Sequence, residues 1–154
     1  MNYPKIIQFK AQSKPAFSLK TSQPTNSSLP SMLVHIVLLR TDLGWPVGAL
    51  ATQAVHASNA CLFSNLTNRD EKTKTQIQSF LESGSKMNVL LKEIPSLSQM
   101  QELQEKLKET QIEYEVWVEE PENVAVAIAI VPTERSIVMP LVKRYPLFCC
   151  SNNK

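Results

Sequence analysis

The stretch LVHIVLLRTDLGWPVGALATQAVHA, residues 33–57, decides the fold. Its first eight residues, Leu33 to Arg40, are Leu-rich and β-branched and read as a buried strand. A charged pair, Arg40 and Asp42, ends the run. Pro46 then stands near the first turn of a helix, where its missing N–H leaves no bond unmade, and small residues carry that helix from Val47 to Leu62. Strand, short turn and helix together open an α/β unit. As far as Ala57 the helix holds one amide, Gln53, and one imidazole, His56, among Ala, Val and Leu. Polar groups in such surroundings cost free energy unless they find partners, so this helix is where chemistry is to be sought.

Outward from this unit the elements alternate. Asp70 is an N-cap for a second helix that sets Ile77, Phe80 and Leu81 on one face and stops at Gly84. Met87–Ile94 reads as a second strand. Ser98 and Gln101 form a capping box for a helix with Met100, Leu103 and Leu107 in register. Glu113–Val118 is a third strand and Val124–Val131 a fourth, apolar enough to be central and buried on both faces. Only Glu119–Asn123 join these two, which predicts an antiparallel hairpin, since a parallel crossover needs a dozen residues or more. The last segment, Glu134–Tyr145, reads as helical, with Pro140 predicting a kink or a late start. The order β-α-α-β-α-β-β-α predicts an α/β fold of three layers, α/β/α, in which a mixed four-stranded sheet carries helices on both faces.

A chain of 154 residues, 43% hydrophobic and 19% charged, is long enough for one domain with a full core. No apolar run approaches the roughly 20 residues of a membrane-spanning helix. The net charge of +2 is unevenly spread. Residues 1–31 carry four lysines and no acid, hence +4, and the remainder carries −2. The folded part is therefore not a strongly basic body, and any nucleic-acid contact must come from a local patch. Residues 1–31 are polar and Pro-rich with no hydrophobic period, which predicts a disordered extension; 32–148 form the domain and 149–154 a flexible tail. Three cysteines, Cys61, Cys149 and Cys150, lack metal spacing and imply a reducing compartment. The expected location is cytoplasmic, with a mitochondrial address through the acid-free extension as the alternative.

In an open α/β sheet, ligands bind beyond the carboxyl ends of the parallel strands. That rim holds Arg40, Asp42 and Trp45, beside helix N–H groups that suit a phosphate. Arg40 and Asp42 either serve a ligand or pair to shape the turn. Trp45 either stacks on a base or plugs the helix start. Ala49, Gln53 and His56, spaced i, i+4 and i+7, share a stripe, and His56 is a general base or a hydrogen-bonded core residue. The turn Glu119-Glu-Pro-Glu-Asn123 clusters three carboxylates that, with a histidine, could activate water, or that simply face solvent. No metal-ligand spacing, phosphate-cradling loop or serine elbow is present, and three glycines leave little room for one.

The run Val37-Leu-Leu-Arg-Thr-Asp-Leu43, then Gly48, Gln53 and His56-Ala57, resembles the start of the archaeal and eukaryotic second class of peptidyl-tRNA hydrolases, where a strand leads into Arg-x-Asp-Leu and then Gly-Lys-x-x-x-Gln-x-x-His-Ala. With Trp45-Pro46, Ala49-Leu50, Trp117, Pro121-Glu122-Asn123 and Leu147-Phe148 added, the chain is more similar still to the divergent eukaryotic branch of peptidyl-tRNA hydrolase domain-containing proteins. The resemblance covers about residues 33–148. It implies a mixed sheet sandwiched by helices, and hydrolysis of the ester between a peptide and the terminal ribose of tRNA without a metal or other cofactor. It also implies a pocket built from the strand end, the first helix and the turn before the last strand. Catalysis then falls to Glu120, His56 and Asp42, and substrate binding to Arg40, Trp45, Gln53, Asn123 and Lys143. The expected partner is peptidyl-tRNA or a tRNA 3′ end, with a protein partner and a homodimer left open and no membrane. Two departures stand out. The family lysine after the helix glycine is Ala49, and the family turn Asp-x-Gly-x-Thr is Glu120-Pro-Glu-Asn123, with Glu120 standing in for the Asp. The alternative to a hydrolase is a module that keeps the scaffold, has lost the chemistry, and binds RNA ends or a protein.

Overall fold

The computed structural model describes residues 32–68 and 70–149. The expected extension 1–31 and all of the expected tail except Cys149 lie outside those residues. In chain order the elements are β1 (Leu33–Arg40), α1 (Val47–Asn68), α2 (Glu71–Glu82), a short 3-10 turn (Gly84–Lys86), β2 (Asn88–Ile94), α3 (Leu97–Glu109), β3 (Tyr114–Glu119), β4 (Val124–Glu134) and α4 (Arg135–Val142). The sheet order is β2-β1-β4-β3. β1 and β2 run parallel, joined by the α1–α2 crossover, and β4 is antiparallel to both β1 and β3. The mixed sheet, its helices on both faces and the β3–β4 hairpin agree with the expected three-layer arrangement.

Strand alternation divides the interior in two. Val34, Ile36 and Leu38 of β1 point toward α3 and α4, where they meet Met100, Leu103, Leu107, Val138 and Val142. Val37 and Leu39 point the other way, toward Leu50, Ala57 and Cys61 of α1 and Ile77 of α2. On this second face β4 offers only Ala127, Ala129 and Val131. Those short side chains let α1 lie close on the sheet, close enough for the Cys61 thiol to reach the Ala129 carbonyl at 3.4 Å.

The departures from expectation each have a local cause. α1 runs on past Leu62 to Asn68, because Leu66 continues the apolar stripe and the Asn65 amide, buried, donates to the Cys61 carbonyl. Leu81 is exposed, and α2 buries Thr73, Ile77 and Phe80 instead. α3 is capped by Ser96, whose hydroxyl accepts the Gln99 N–H at 3.3 Å; Ser98 is already inside the helix. β4 extends to Glu134 because Pro132, which has no N–H to give, falls where the β1–β4 register shifts, and Thr133 and Glu134 resume pairing beyond it. α4 begins at Arg135 and ends at Val142, shorter than Glu134–Tyr145, with Pro140 inside it. The chain then lies along the outer edge of β2. The Glu93 N–H donates to the Pro146 carbonyl and the Phe148 N–H to the Leu91 carbonyl, at 3.0 and 2.9 Å. This covers an edge that would otherwise present unpaired backbone groups.

Candidate functional site

The carboxyl end of β1, the start of α1 and the β3–β4 turn meet at one end of the sheet, since Leu39 pairs with Ala127 near the start of β4. Arg40 is 8% exposed and largely committed to protein. Its Nε and Nη2 donate to the two carboxylate oxygens of Asp42 at 3.0 and 2.7 Å, and its Nη1 donates to the Ala125 carbonyl at 2.8 Å. The hydrogen bonds from Arg40 hold the Asp42 carboxyl below the usual aspartate range, against a smaller opposing effect of burial. The pair is a clasp that ties the turn after β1 to the first residues of β4. Trp45 is half-buried and packs on the α1-side core, over the helix start.

Gln53 lies on the buried stripe of α1, between Leu50 and Ala57, and is 6% exposed. Its side-chain oxygen accepts the indole N–H of Trp117 at 2.6 Å, and the same N–H reaches a carboxylate oxygen of Glu119 at 3.2 Å. His56, one turn further along α1 and exposed, stacks on the Trp117 ring with centroids 5.1 Å apart and planes inclined by 15°. Trp117 thus gathers Gln53, His56 and Glu119 into one cluster. Residues two apart on a strand share a face. Trp117 and Glu119 therefore both turn toward α1, as does Glu115, whose carboxylate accepts from the Ser64 hydroxyl at 3.0 Å.

The other candidates stand apart. Glu120 and Asn123 are exposed in the turn itself, where Asn123 adopts φ = 54°, a conformation its short side chain tolerates. Lys143 is exposed at the end of α4, on the opposite face of the sheet from α1. Ala49 is half-buried at the start of α1. Among the described residues no group of three or more His, Cys, Asp or Glu side chains is arranged to hold a metal ion. Sequence reasoning carried Glu119 only as one of three turn carboxylates that could activate water, assigned catalysis to Glu120, and carried Trp117 only as part of a resemblance. The signal for Glu119 was present: counting by twos from Trp117 lands on it, whereas Glu120 is one residue out of phase.

Comparison with known proteins shows the family of the chain. The family model described as peptidyl-tRNA hydrolase PTH2 matches residues 33–148. The chain belongs to the peptidyl-tRNA hydrolase PTH2 family. Among curated relatives of this PTH2 chain is the human protein named "Putative peptidyl-tRNA hydrolase PTRHD1", 33% identical over 139 residues, which span 87% of this chain and 95% of that protein. The mouse protein of the same name is 33% identical over 124 residues, covering 77% of this chain and 84% of its own length. The matched region runs from the first residue of β1 to Phe148 on the β2 edge, so every element of the fold falls within the PTH2 match.

Proposed function

We propose that this PTH2 chain hydrolyses the ester that joins a peptidyl or N-blocked aminoacyl group to the 3′ end of tRNA, using protein groups alone. The observation that carries this reading is the Trp117 cluster. One indole N–H fixes both the Gln53 amide and the Glu119 carboxylate at the end of the sheet where an open α/β fold binds its ligands. Glu119 gives one oxygen to Trp117, and its other oxygen is left to orient a water and take its proton as the water attacks the ester carbonyl. The tetrahedral adduct then collapses, the acyl–oxygen bond to ribose breaks, and the protonated Glu119 returns the proton to the departing ribose oxygen. A positioned base of this kind contributes about 100- to 10,000-fold in rate. The Arg40–Asp42 clasp keeps the turn after β1 and the β4 start in fixed relation around that water, a positioning role.

The oxyanion formed in this step has no lysine beside it, because the residue after the helix glycine is Ala49. One missing donor of that kind commonly lowers the rate about 100- to 1,000-fold. Slow turnover follows, and binding of RNA ends without turnover is the second reading that Ala49 favours. Hydrolysis of N-blocked aminoacyl-tRNA by the purified protein decides between them. The hydrolase reading expects release above the buffer blank that rises with Ala49→Lys. Release equal to the blank in both proteins rejects it.

A further inference from the structure

The stacked pair at the site has an unused side. His56 is exposed and covers Trp117 with one face of its ring, and no other ring among the described residues stacks on it. Among the described residues neither ring nitrogen of His56 hydrogen-bonds to protein. Trp117 beneath it is held flat by Gln53 and Glu119, so the pair is ordered before any ligand arrives. The exposed imidazole, laid at 15° on an indole fixed by two hydrogen bonds, makes no hydrogen bond to Glu119, so its geometry is not that of a proton-transfer pair. It is a good geometry for receiving a third flat ring, since stacking aligns π-faces with a lateral offset.

We propose that His56, laid on Trp117, is the platform on which the 3′-terminal nucleobase of the RNA substrate stacks. The proposal rests on the hydrolase reading for its substrate and deepens it. It assigns to His56 the holding of the terminal base, and it leaves proton transfer to the carboxylate. The base stacks on the outer face of His56, its ribose then carries the ester toward Glu119, and the chain upstream leaves toward solvent. Every base has a π-face, so the platform grips the end of the strand with little regard to sequence, and affinity depends on the ring area stacked.

The test uses the full chain and the trinucleotide CC-2-aminopurine, whose 3′-terminal base loses fluorescence when it stacks. Wild-type protein is expected to quench it saturably. His56→Phe, which keeps a flat ring, binds within about threefold of wild type, whereas His56→Ala weakens binding about 5- to 150-fold, the size of one base–aromatic stack. His56 is exposed, so both variants fold, and circular dichroism checks that they do. Equal binding by His56→Ala and wild type overturns the platform, and so does loss of binding by His56→Phe as complete as by His56→Ala. Hydrolysis of N-blocked aminoacyl-tRNA is measured on the same proteins. Quenching without hydrolysis removes the enzyme reading and keeps the platform, and hydrolysis without quenching removes the platform and keeps the enzyme.

Discussion

The chain has two histidines, and the structure uses them in opposite ways. His35, in β1, is 1% exposed. Its Nδ1–H donates to the Ile130 carbonyl at 2.8 Å, because a carbonyl can only accept, and in the neutral ring Nε2 then accepts the Ser58 hydroxyl at 2.9 Å. Both nitrogens are satisfied, Phe80 lies against the ring at 6.1 Å, and nothing is left over for a ligand. His56 is exposed, makes no ring-nitrogen hydrogen bond among the described residues, and stacks on the tryptophan of β3. A buried polar residue with every partner in place specifies packing, and an exposed one on a preorganised support is available to a substrate. The contrast explains why α1 is lined with small residues. It must approach the sheet closely enough for Ser58 to reach His35 and Gln53 to reach Trp117.

That division can be broken from either side. The largest expected effect is on the buried side. His35→Ala removes a fully enclosed ring and leaves the Ile130 carbonyl and Ser58 without it, a loss of about 3 kcal/mol in urea unfolding, with the pH profile of hydrolysis unchanged in shape. On the open side, Trp117→Phe keeps a ring under His56 and deletes the indole N–H. Hydrolysis is expected to fall about 100-fold, the usual result of misplacing a reacting group by an ångström, while binding of the 2-aminopurine trinucleotide stays near wild type. If both fall together, platform and base are not separable. Arg40→Met opens the clasp to Asp42 and Ala125, which is expected to lower stability by about 1–2 kcal/mol in the same unfolding measurement.

The smallest effect is in pH. Burial holds the folded His35 below its ordinary value of 6.5, against a smaller upward pull from the Ile130 carbonyl. Below pH 6.5 the unfolded chain binds a proton that the folded ring resists, so the unfolded state gains. The contribution of neutral His35 is therefore complete above pH 6.5 and is lost progressively as pH falls toward the folded value. Unfolding free energy measured between about pH 7 and 5, above the carboxylate range, is expected to decline for wild type. His35→Gln, which cannot titrate, is expected to flatten the decline.

How much of this was readable in advance follows from distance along the chain. β1, with limits Leu33 and Arg40, and the antiparallel pairing of β3 with β4 came out as read, because they depend on local alternation and on a short connection, whereas β3 is shifted by one residue to Tyr114–Glu119 and takes Glu119 out of the turn. The Asp42–Arg40 pair is two residues apart and was open to inspection. The α3 cap was ambiguous because Ser96-x-x-Gln99 and Ser98-x-x-Gln101 both satisfy the capping-box spacing, and only the geometry selects the earlier one. His35–Ser58 and Gln53–Trp117 join residues 23 and 64 positions apart. No local pattern announces such contacts, which exist only once β4 has been inserted beside β1. Glu119 is the intermediate case: it is in phase with Trp117 by period two, but the reading that ended β3 at Val118 left it in the turn.

In the proposed chemistry the carboxylate held by Trp117 is the base and the neighbouring one in the turn is not. Single-turnover hydrolysis of N-blocked aminoacyl-tRNA by Glu119→Gln and Glu120→Gln tests it most directly. A fall of about 100-fold or more is expected for Glu119→Gln, and a rate within about threefold of wild type for Glu120→Gln. The reverse order, or equal rates in both variants, would contradict it.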